Sequence, residues 1–185
     1  MPSVERSLTI AIPPARVYDA FVDLSRWLGW NPHLRKVTPL SEGPLAPGFK
    51  ARVSLKLNPI PSVWQVTEVN PGRSFAWVST SLPGVRLVFD HVAESAEGGA
   101  LATLRIDFQG PLGFLAGLAG PFYARNLDHS LAALKSLLEG EPSAAPEPEQ
   151  PPAEEPAAEA PAEEGGGPGE EGETEAPAGH APKNE

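Results

Sequence analysis

Apolar and polar residues alternate along much of the first 110 positions, and the clearest case is 49–57. There every second residue is apolar, and the residues between are Lys, Arg or Ser. A period of two is typical of a strand with one buried and one solvated face. Similar patterns predict six further strands, at 4–12, 34–40, 63–69, 74–81, 85–93 and 101–109. Short turns such as Asn70-Pro71-Gly72, and a turn at 58–61, indicate an antiparallel meander.

Two short helices are expected between the first two strands. The proline pair at 13–14 ends the first strand and begins a helix, because a proline in the first turn forgoes only an unpaired N–H. We expect this helix to run through Asp23, with Ser25 capping one further turn that carries Trp27. Gly29 is then a suitable left-handed stop.

The stretch 113–139 repeats apolar residues every three or four positions, which predicts a long amphipathic helix. Two glycines and Pro121 weaken its first third, so we expect a bend or a break between Leu118 and Phe122. A proline inside a helix costs about 3 kcal/mol because it removes one hydrogen bond and clashes with the preceding turn.

The predicted elements together give an α+β domain, a curved antiparallel sheet closed on a long C-terminal helix. From Phe122 onward the helix is expected to pack on the sheet. The part at 113–119 is expected to face Trp27 and Trp30 and to form a movable lip.

Charge is unevenly distributed along the chain, and the change in composition predicts a domain boundary at residue 140. Residues 141–185 contain thirteen Glu, one Lys and no Val, Ile, Leu, Met or aromatic residue, whereas residues 1–140 carry a net charge of +2. Such a tail cannot bury enough apolar surface to offset the entropy of ordering, about 1–2 kcal/mol per residue. We therefore predict a domain at 1–140 and a disordered acidic tail at 141–185, which solubilises the protein or binds a protein partner weakly.

Composition also excludes several classes of function. The near-neutral domain lacks the basic stripe that nucleic acid requires, so no nucleic-acid partner is expected. No cysteine is present, which argues against disulfides and thiolate catalysis. Neither a signal-peptide pattern nor the roughly 18–20 apolar residues of a spanning helix occurs, so we expect a soluble cytoplasmic protein. The four histidines show no ligand spacing, and we expect neither a metal nor a cofactor.

A succession of short motifs resembles the START-like, helix-grip superfamily, which includes polyketide cyclase/dehydrase and lipid-transport domains. The motifs are IPPARVYDAF at 12–21, DLSRW at 23–27, WNP at 30–32, PG at 47–48, VTEVNPGR at 66–73, FDH at 89–91, GPL at 110–112 and LAALK at 131–135. The resemblance covers about residues 3–139. It implies a seven-stranded antiparallel sheet that grips the C-terminal helix, with a cavity between them. It leaves the chemistry open, because members include carriers, cyclases and chaperone activators.

A set of large side chains points into this cavity if the strand alternation holds. The expected ligand-binding residues are Trp27, Trp30, Trp64, Trp77, Phe89, His91, Phe108, Phe114, Leu118, Phe122 and Asn126. A cavity of roughly 300–1,000 Å³ lined in this way takes a flat or branched apolar ligand. The alternative for each ring is that it fills the core, since a large ring buries about 150–250 Å². Trp30 either gates the mouth of the cavity or plugs the end of the sheet.

His91 and Asn126 are the polar members of this set. His91 shares a strand face with Phe89 and points inward, where it either directs protons on a substrate or is a core histidine bonded to a neighbouring hydroxyl. Asn126 either contacts the ligand or bonds within the protein. The interpretation we favour is a non-enzymatic binder or carrier of a small apolar ligand of lipid, polyketide or isoprenoid type. The alternatives are a cyclase- or dehydratase-type enzyme that uses His91, and an interaction module that works through its acidic tail.

Overall fold

A computed structural model describes residues 1–57 and 60–141, and these residues form one seven-stranded antiparallel sheet with helices on one face. The strands are β1 (Ser3–Ile10), β2 (Leu34–Pro39), β3 (Lys50–Leu55), β4 (Ser62–Asn70), β5 (Ser74–Ser79), β6 (Arg86–Ala96) and β7 (Gly99–Gln109). Their order across the sheet is β1-β7-β6-β5-β4-β3-β2. The predicted meander is therefore confirmed from β2 to β7, and β1 pairs with the last strand. The first half of the turn expected at 58–61 and the tail beyond residue 141 lie outside the described residues.

Alternate side chains on each strand give the sheet one apolar face and one polar face. On β7, Leu104, Ile106 and Phe108 are buried, and Arg105 and Asp107 between them point to the opposite, outer face. The inner face meets the helices and carries the core. The periodicity of the strand thus decides which side chains can reach a site between the sheet and the helices.

Gly99 lets the β6–β7 turn approach the end of β1. Its φ is +146°, and a Cβ at this position would lie 2.1 Å from the carbonyl oxygen of Ile10. Any other residue would have to push β1 away, because backbone atoms cannot yield as a flexible side chain does.

Three helical segments follow β1: α1 (Pro14–Val22), a 3₁₀ turn (Leu24–Arg26) and α2 (Trp27–Trp30). As predicted, α1 begins at a proline, and it buries Val17 and Phe21 against the sheet. Both tryptophans of α2 are also buried. These segments cover the inner face of the sheet at one end.

Two predicted details of this region are wrong. Asp23 caps the 3₁₀ turn, because its Oδ1 accepts a hydrogen bond from the backbone N–H of Ser25 at 3.0 Å. Ser25 is therefore the capped residue and not the cap. Gly29 is helical and does not have a positive φ. The helix passes through it because the rings of Trp27 and Trp30 on either side are both buried, and it ends where the N–H of Asn31 donates to the carbonyl of Trp27.

The C-terminal helical stretch is broken, as the glycines and Pro121 predict. It consists of α3 (Gly113–Ala116), a 3₁₀ turn (Gly117–Ala119) and α4 (Gly120–Gly140). Pro121 lies in the first turn of α4, where its missing N–H leaves no helical hydrogen bond unmade. Beyond that turn, α4 buries a stripe of leucines on the sheet: Leu127, Leu131, Leu134 and Leu138.

The segment 113–119 does not face Trp27 and Trp30, contrary to the prediction. A Cβ at Gly29 in α2 would contact Leu137 at 3.7 Å, whereas a Cβ at Gly117 would collide with Pro2 at 2.6 Å. Because a helix rises 1.5 Å per residue, these two places are about 30 Å apart along the helical stretch. Helical periodicity gives the side of the helix that is buried, but not the element that each end meets.

Polar contacts fasten the C-terminal end of α4 to the elements around it. Glu141 pairs with Arg16 at 3.1 Å and also with Arg26, which belong to α1 and the first 3₁₀ turn. Two residues earlier, Glu139 accepts a hydrogen bond from the backbone N–H of Ala11 at 2.8 Å. This end of the helix is therefore held in place by both its leucine stripe and its charges.

Candidate functional site

A cavity of about 450 Å³ lies between the inner face of the sheet and the first turns of α4. Its volume is within the range of small-molecule sites, about 300–1,000 Å³. Buried Trp27 and His91 border its inner side. Exposed Leu57, Leu82 and Phe122 border its open side. The cavity thus has an aromatic inner wall and an apolar mouth.

The aromatic wall offers ring faces rather than polar groups. Trp64 and Phe89 are stacked with their centroids 4.2 Å apart and their planes within 13°. The indole N–H of Trp64 donates to the hydroxyl of Ser62, and that of Trp27 donates to the carbonyl of Phe21, each at 2.8 Å. Since both N–H groups are satisfied within the protein, these rings present apolar surface to a ligand.

His91 is a buried polar side chain on the cavity wall. Its ring centroid lies 4.5 Å from that of Phe75 and 5.7 Å from that of Trp27, so aromatic rings surround it. Burial lowers the pKa of His91 to about 3, and the backbone of Phe89 offsets only part of that shift. The imidazole is neutral at pH 7. Its Nδ1 has no hydrogen-bond partner among the described residues.

A second polar group lies where the chain leaves α2. Asn31 and His33 both line the cavity, and both face Ser130 of α4. The hydroxyl of Ser130 lies 3.1 Å from Asn31 Oδ1, to which it donates, and 3.4 Å from His33 Nδ1. Burial, helped by the charge of Lys56, lowers the pKa of His33 to about 4. This side of the cavity therefore also carries neutral hydrogen-bonding groups.

Two charged residues at the cavity boundary have their side chains on the outer face of the sheet. Asp90 and Arg105 are register partners on β6 and β7, and the side chains next to them along the strands face the core. Arg105 pairs with Asp107 at 2.9 Å on the outer face of the sheet. Burial, with the nearby charge of Asp107, raises the pKa of Asp90.

The structure brings together six of the eleven residues predicted to bind a ligand. The residues that line the cavity are Trp27, Trp64, Phe89, His91, Phe122 and Asn126. Trp30, Trp77 and Phe108 are buried in the core and do not line it. Trp30 packs against Phe21 and Trp27 and does not gate the mouth, and this burial is compatible with the alternative that it fills the core at the end of the sheet. Phe114 and Leu118 are 63% and 78% exposed and also lie outside the lining.

Several lining residues were not predicted from the sequence. Ser79 continues the inward alternation of Phe75 and Trp77 along β5, so strand periodicity was a sufficient signal for it. Tyr123 directly follows Phe122, and its ring packs 5.3 Å from that of Phe108. No pattern indicated Asn31 and His33, because they follow a helix end without a period of their own.

Within residues 1–57 and 60–141, no three His, Asp or Glu side chains are grouped so that they would hold a metal ion. In the same part of the chain, no helix has both the length and the apolarity to cross a bilayer.

Comparison with known proteins identifies the family. A family model described as polyketide cyclase/dehydrase and lipid transport matches residues 1–139. No curated protein matches the chain. The family match confirms the resemblance that the short motifs indicated and covers all seven strands and nearly all of α4.

Solved structures share the fold at low sequence identity. Ara h 8.0201 is 15% identical, with 75% of this chain and 98% of that chain covered and a TM-score of 0.59. TTHA0849 from Thermus thermophilus is 17% identical, with coverages of 75% and 98% and a TM-score of 0.59. BexL, a di-domain ARO/CYC from the BE-7585A biosynthetic pathway, is 21% identical, with coverages of 75% and 47% and a TM-score of 0.60. These similarities confirm the helix-grip architecture.

Proposed function

Because the chain belongs to the polyketide cyclase/dehydrase and lipid transport family, we propose that it binds or carries a small, largely apolar ligand in the cavity under α4. The ligand would be of lipid, polyketide or isoprenoid type. The observation that carries this proposal is the aromatic wall, where Trp64 and Phe89 stack beside a space of about 450 Å³.

The chemistry of the lining supports binding more than catalysis. General acid–base catalysis works best when the pKa of the catalytic group lies near the working pH. The pKa values of His91 and His33 are lowered to about 3 and about 4, so both are weak bases at pH 7. Neutral imidazoles of this kind are suited to hydrogen bonding with a ligand.

His91 does not by itself specify a polar group on the ligand. Its Nδ1 has no hydrogen-bond partner among the described residues, but protein atoms enclose this nitrogen and it does not reach the cavity surface. The proposed ligand is therefore recognised mainly through its apolar surface.

The test is to measure binding of a neutral fluorescent probe, N-phenyl-1-naphthylamine, to the full chain. Asn126 lines the cavity from α4, and Asn126→Trp would place a two-ring side chain inside it. We expect at least about tenfold weaker probe binding, since even one methylene in an apolar pocket changes selectivity by roughly 10–200-fold. Native mass spectrometry of freshly purified protein would show whether a natural ligand copurifies.

His129→Trp is the matched control, because His129 is an exposed residue of the same helix, three positions later. It should leave probe binding unchanged. If the wild type takes up no probe and copurifies with no small molecule, the binding proposal is rejected. Equal loss of binding in both variants would show that the probe binds elsewhere.

The family and the inward-facing His91 favour a second candidate function, a cyclase- or dehydratase-type enzyme acting on such a ligand. In that case His91→Ala should abolish turnover while probe binding stays within about tenfold. A variant that keeps turnover would show that His91 is structural. A cytoplasmic location and a protein partner for the acidic tail stay predictions from the sequence.

A further inference from the structure

Three polar side chains meet where α4 packs against the end of α2. Ser130 of α4 is completely buried, and its hydroxyl donates to Oδ1 of Asn31 at 3.1 Å. The same hydroxyl lies 3.4 Å from Nδ1 of His33. Asn31 and His33 line the cavity, whereas Ser130 lies behind them and does not. We call these three residues the polar corner.

The protein itself holds the side chain of Asn31 in one orientation. The backbone N–H of Asn31 donates to the carbonyl of Trp27 at 2.8 Å, and its backbone carbonyl accepts from the N–H of Leu34 at 3.0 Å. With the main chain fixed in this way, the hydroxyl of Ser130 sets the direction of the amide. Because Oδ1 faces Ser130, the amide nitrogen Nδ2 is turned the other way.

This amide nitrogen is left free to meet a ligand. Nδ2 of Asn31 donates no hydrogen bond within the described residues, and unlike Nδ1 of His91 it is not enclosed by protein atoms. Asn31 is 7% exposed and lines the cavity, so the cavity is where its N–H groups can be reached. A donor whose direction is fixed in advance loses little conformational freedom when a ligand binds.

His33 adds an acceptor to this donor. A hydroxyl group has one proton, and Ser130 gives it to Asn31, so the contact with His33 requires the ring proton on Nδ1. Nε2 of His33 is then an acceptor. Burial, with the charge of Lys56, lowers the pKa of His33 to about 4, so the imidazole is neutral at pH 7. The polar corner thus offers a donor and an acceptor without a charge.

We propose that the polar corner selects ligands that carry a neutral oxygen, a ketone or an alcohol, which accepts a hydrogen bond from Nδ2 of Asn31. A carboxylate would find no cation there: the side chain of Arg105 lies on the outer face of the sheet, and the exposed Lys56 does not line the cavity. Asn31 is then a specificity-determining residue and Ser130 a positioning residue. This inference rests on the proposed function, because it specifies the ligand of the same cavity.

The experiment is displacement of N-phenyl-1-naphthylamine from the full chain at pH 7 by three competitors that share one ring system. 2-Acetylnaphthalene carries a ketone, 2-isopropylnaphthalene has a methyl group in place of the ketone oxygen, and 2-naphthoate carries a carboxylate. With the wild type we expect 2-naphthoate to bind at least about tenfold more weakly than the ketone, since burying an unpaired charge is costly.

Two variants test the residues of the polar corner. Asn31→Leu removes the donor and keeps the branched shape of the side chain. It should weaken binding of 2-acetylnaphthalene about fivefold, as expected for one hydrogen bond, and leave binding of 2-isopropylnaphthalene within about twofold. Ser130→Ala keeps Asn31 but frees its amide to rotate, so it should weaken binding of the ketone selectively by about threefold. A merely structural role would weaken binding of both competitors equally.

Ser136→Ala is the matched control, because Ser136 is an exposed serine of the same helix whose hydroxyl donates to the carbonyl of Ala132 at 3.0 Å. It should change neither affinity. Ser130→Ala decides the question if Asn31→Leu does not fold, which thermal unfolding shows.

The inference is overturned if 2-naphthoate displaces the probe as well as the ketone does, or if the polar-corner variants bind the ketone and the hydrocarbon in the same ratio as the wild type. In both cases uptake of the probe by the wild type still supports the proposed function. If the wild type takes up no probe, the proposed function and this inference fail together.

Discussion

The two ends of the C-terminal helical stretch are both apolar in sequence, but they meet different surroundings. Toward the C-terminus, Leu134 and Leu138 are completely buried on the sheet, and α2 packs beside them. Toward the N-terminus, Phe114 and Leu118 are mostly exposed and do not line the cavity. The C-terminal end of the stretch therefore contributes to the core, whereas its N-terminal end buries little apolar surface.

The polar groups of the two ends differ in the same sense. At the C-terminal end, Glu141 pairs with Arg16 and Arg26, and Lys135 donates to the carbonyl of Thr9. Toward the N-terminal end, Arg125 has no carboxylate partner among the described residues.

The largest expected effect compares the same substitution at the two ends. Leu134→Ala should lower the free energy of unfolding by about 2–5 kcal/mol, because it opens a cavity in a fully buried site. Leu118→Ala should change it by at most about 0.5 kcal/mol, since its side chain is mostly in water. Urea unfolding of both variants measures the two changes in free energy. Equal losses of stability would mean that Leu118 is packed in the protein and not exposed.

The next effect is the pH dependence of the free energy of unfolding, and it compares two histidines of the cavity wall, His91 and His33. The pKa of His91 is about 3 in the folded protein and about 6.5 when unfolded, so the unfolded state binds the extra proton as the pH falls. Above about pH 6.5 the burial of neutral His91 makes the free energy of unfolding independent of its titration. As the pH falls from about 6.5 toward 3, the free energy of unfolding decreases by about 1.4 kcal/mol per pH unit. His33, whose ring faces Ser130, should act in the same direction but over a window that ends near pH 4.

His91→Phe tests this, because a phenyl ring fits among the rings of Phe75 and Trp27 and does not titrate. Urea unfolding between about pH 7 and pH 4 should show a shallower loss of stability in the variant than in the wild type. Identical pH dependence in the two proteins would contradict the burial of a neutral His91.

The smallest effect locates the end of the domain. Removing the chain after Glu141 should change the free energy of unfolding by at most about 0.5 kcal/mol. Removing it after Gly140 also deletes the partner of Arg16 and Arg26, and should cost up to about 1 kcal/mol more, since the three groups are about a third exposed. Thermal unfolding of the two truncated chains gives the difference. A large loss in the longer one would place the boundary beyond residue 141.

The sequence predicted the strands well because each has a buried face and a two-residue period. It also predicted the break before Phe122, since two glycines and a proline close together weaken any helix. Gly29 was misjudged because local preference for a left-handed stop is worth less than burying Trp27 and Trp30 on either side of it. Long-range packing overrode the local signal there.

The candidate site was predicted only in part, for a related reason. Alternation along β6 was enough to place Phe89 and His91 on the inner face. Trp77 and Phe108 have the same alternation, yet they lie under other side chains and do not reach the cavity. Periodicity predicts which face of the sheet a side chain lies on. It does not predict where along the strand the helix is far enough from the sheet to leave a cavity.

By itself, the sequence determined the element order, the face that each element buries, the family and the sharp change of composition after residue 140. The tertiary structure alone decided which aromatic rings border the cavity, that His91 is surrounded by rings, and that Phe114 and Leu118 are exposed instead of facing Trp27 and Trp30. The physical reason is that local patterns fix backbone conformation and the direction of side chains. Solvent access instead depends on which distant segments pack over each position.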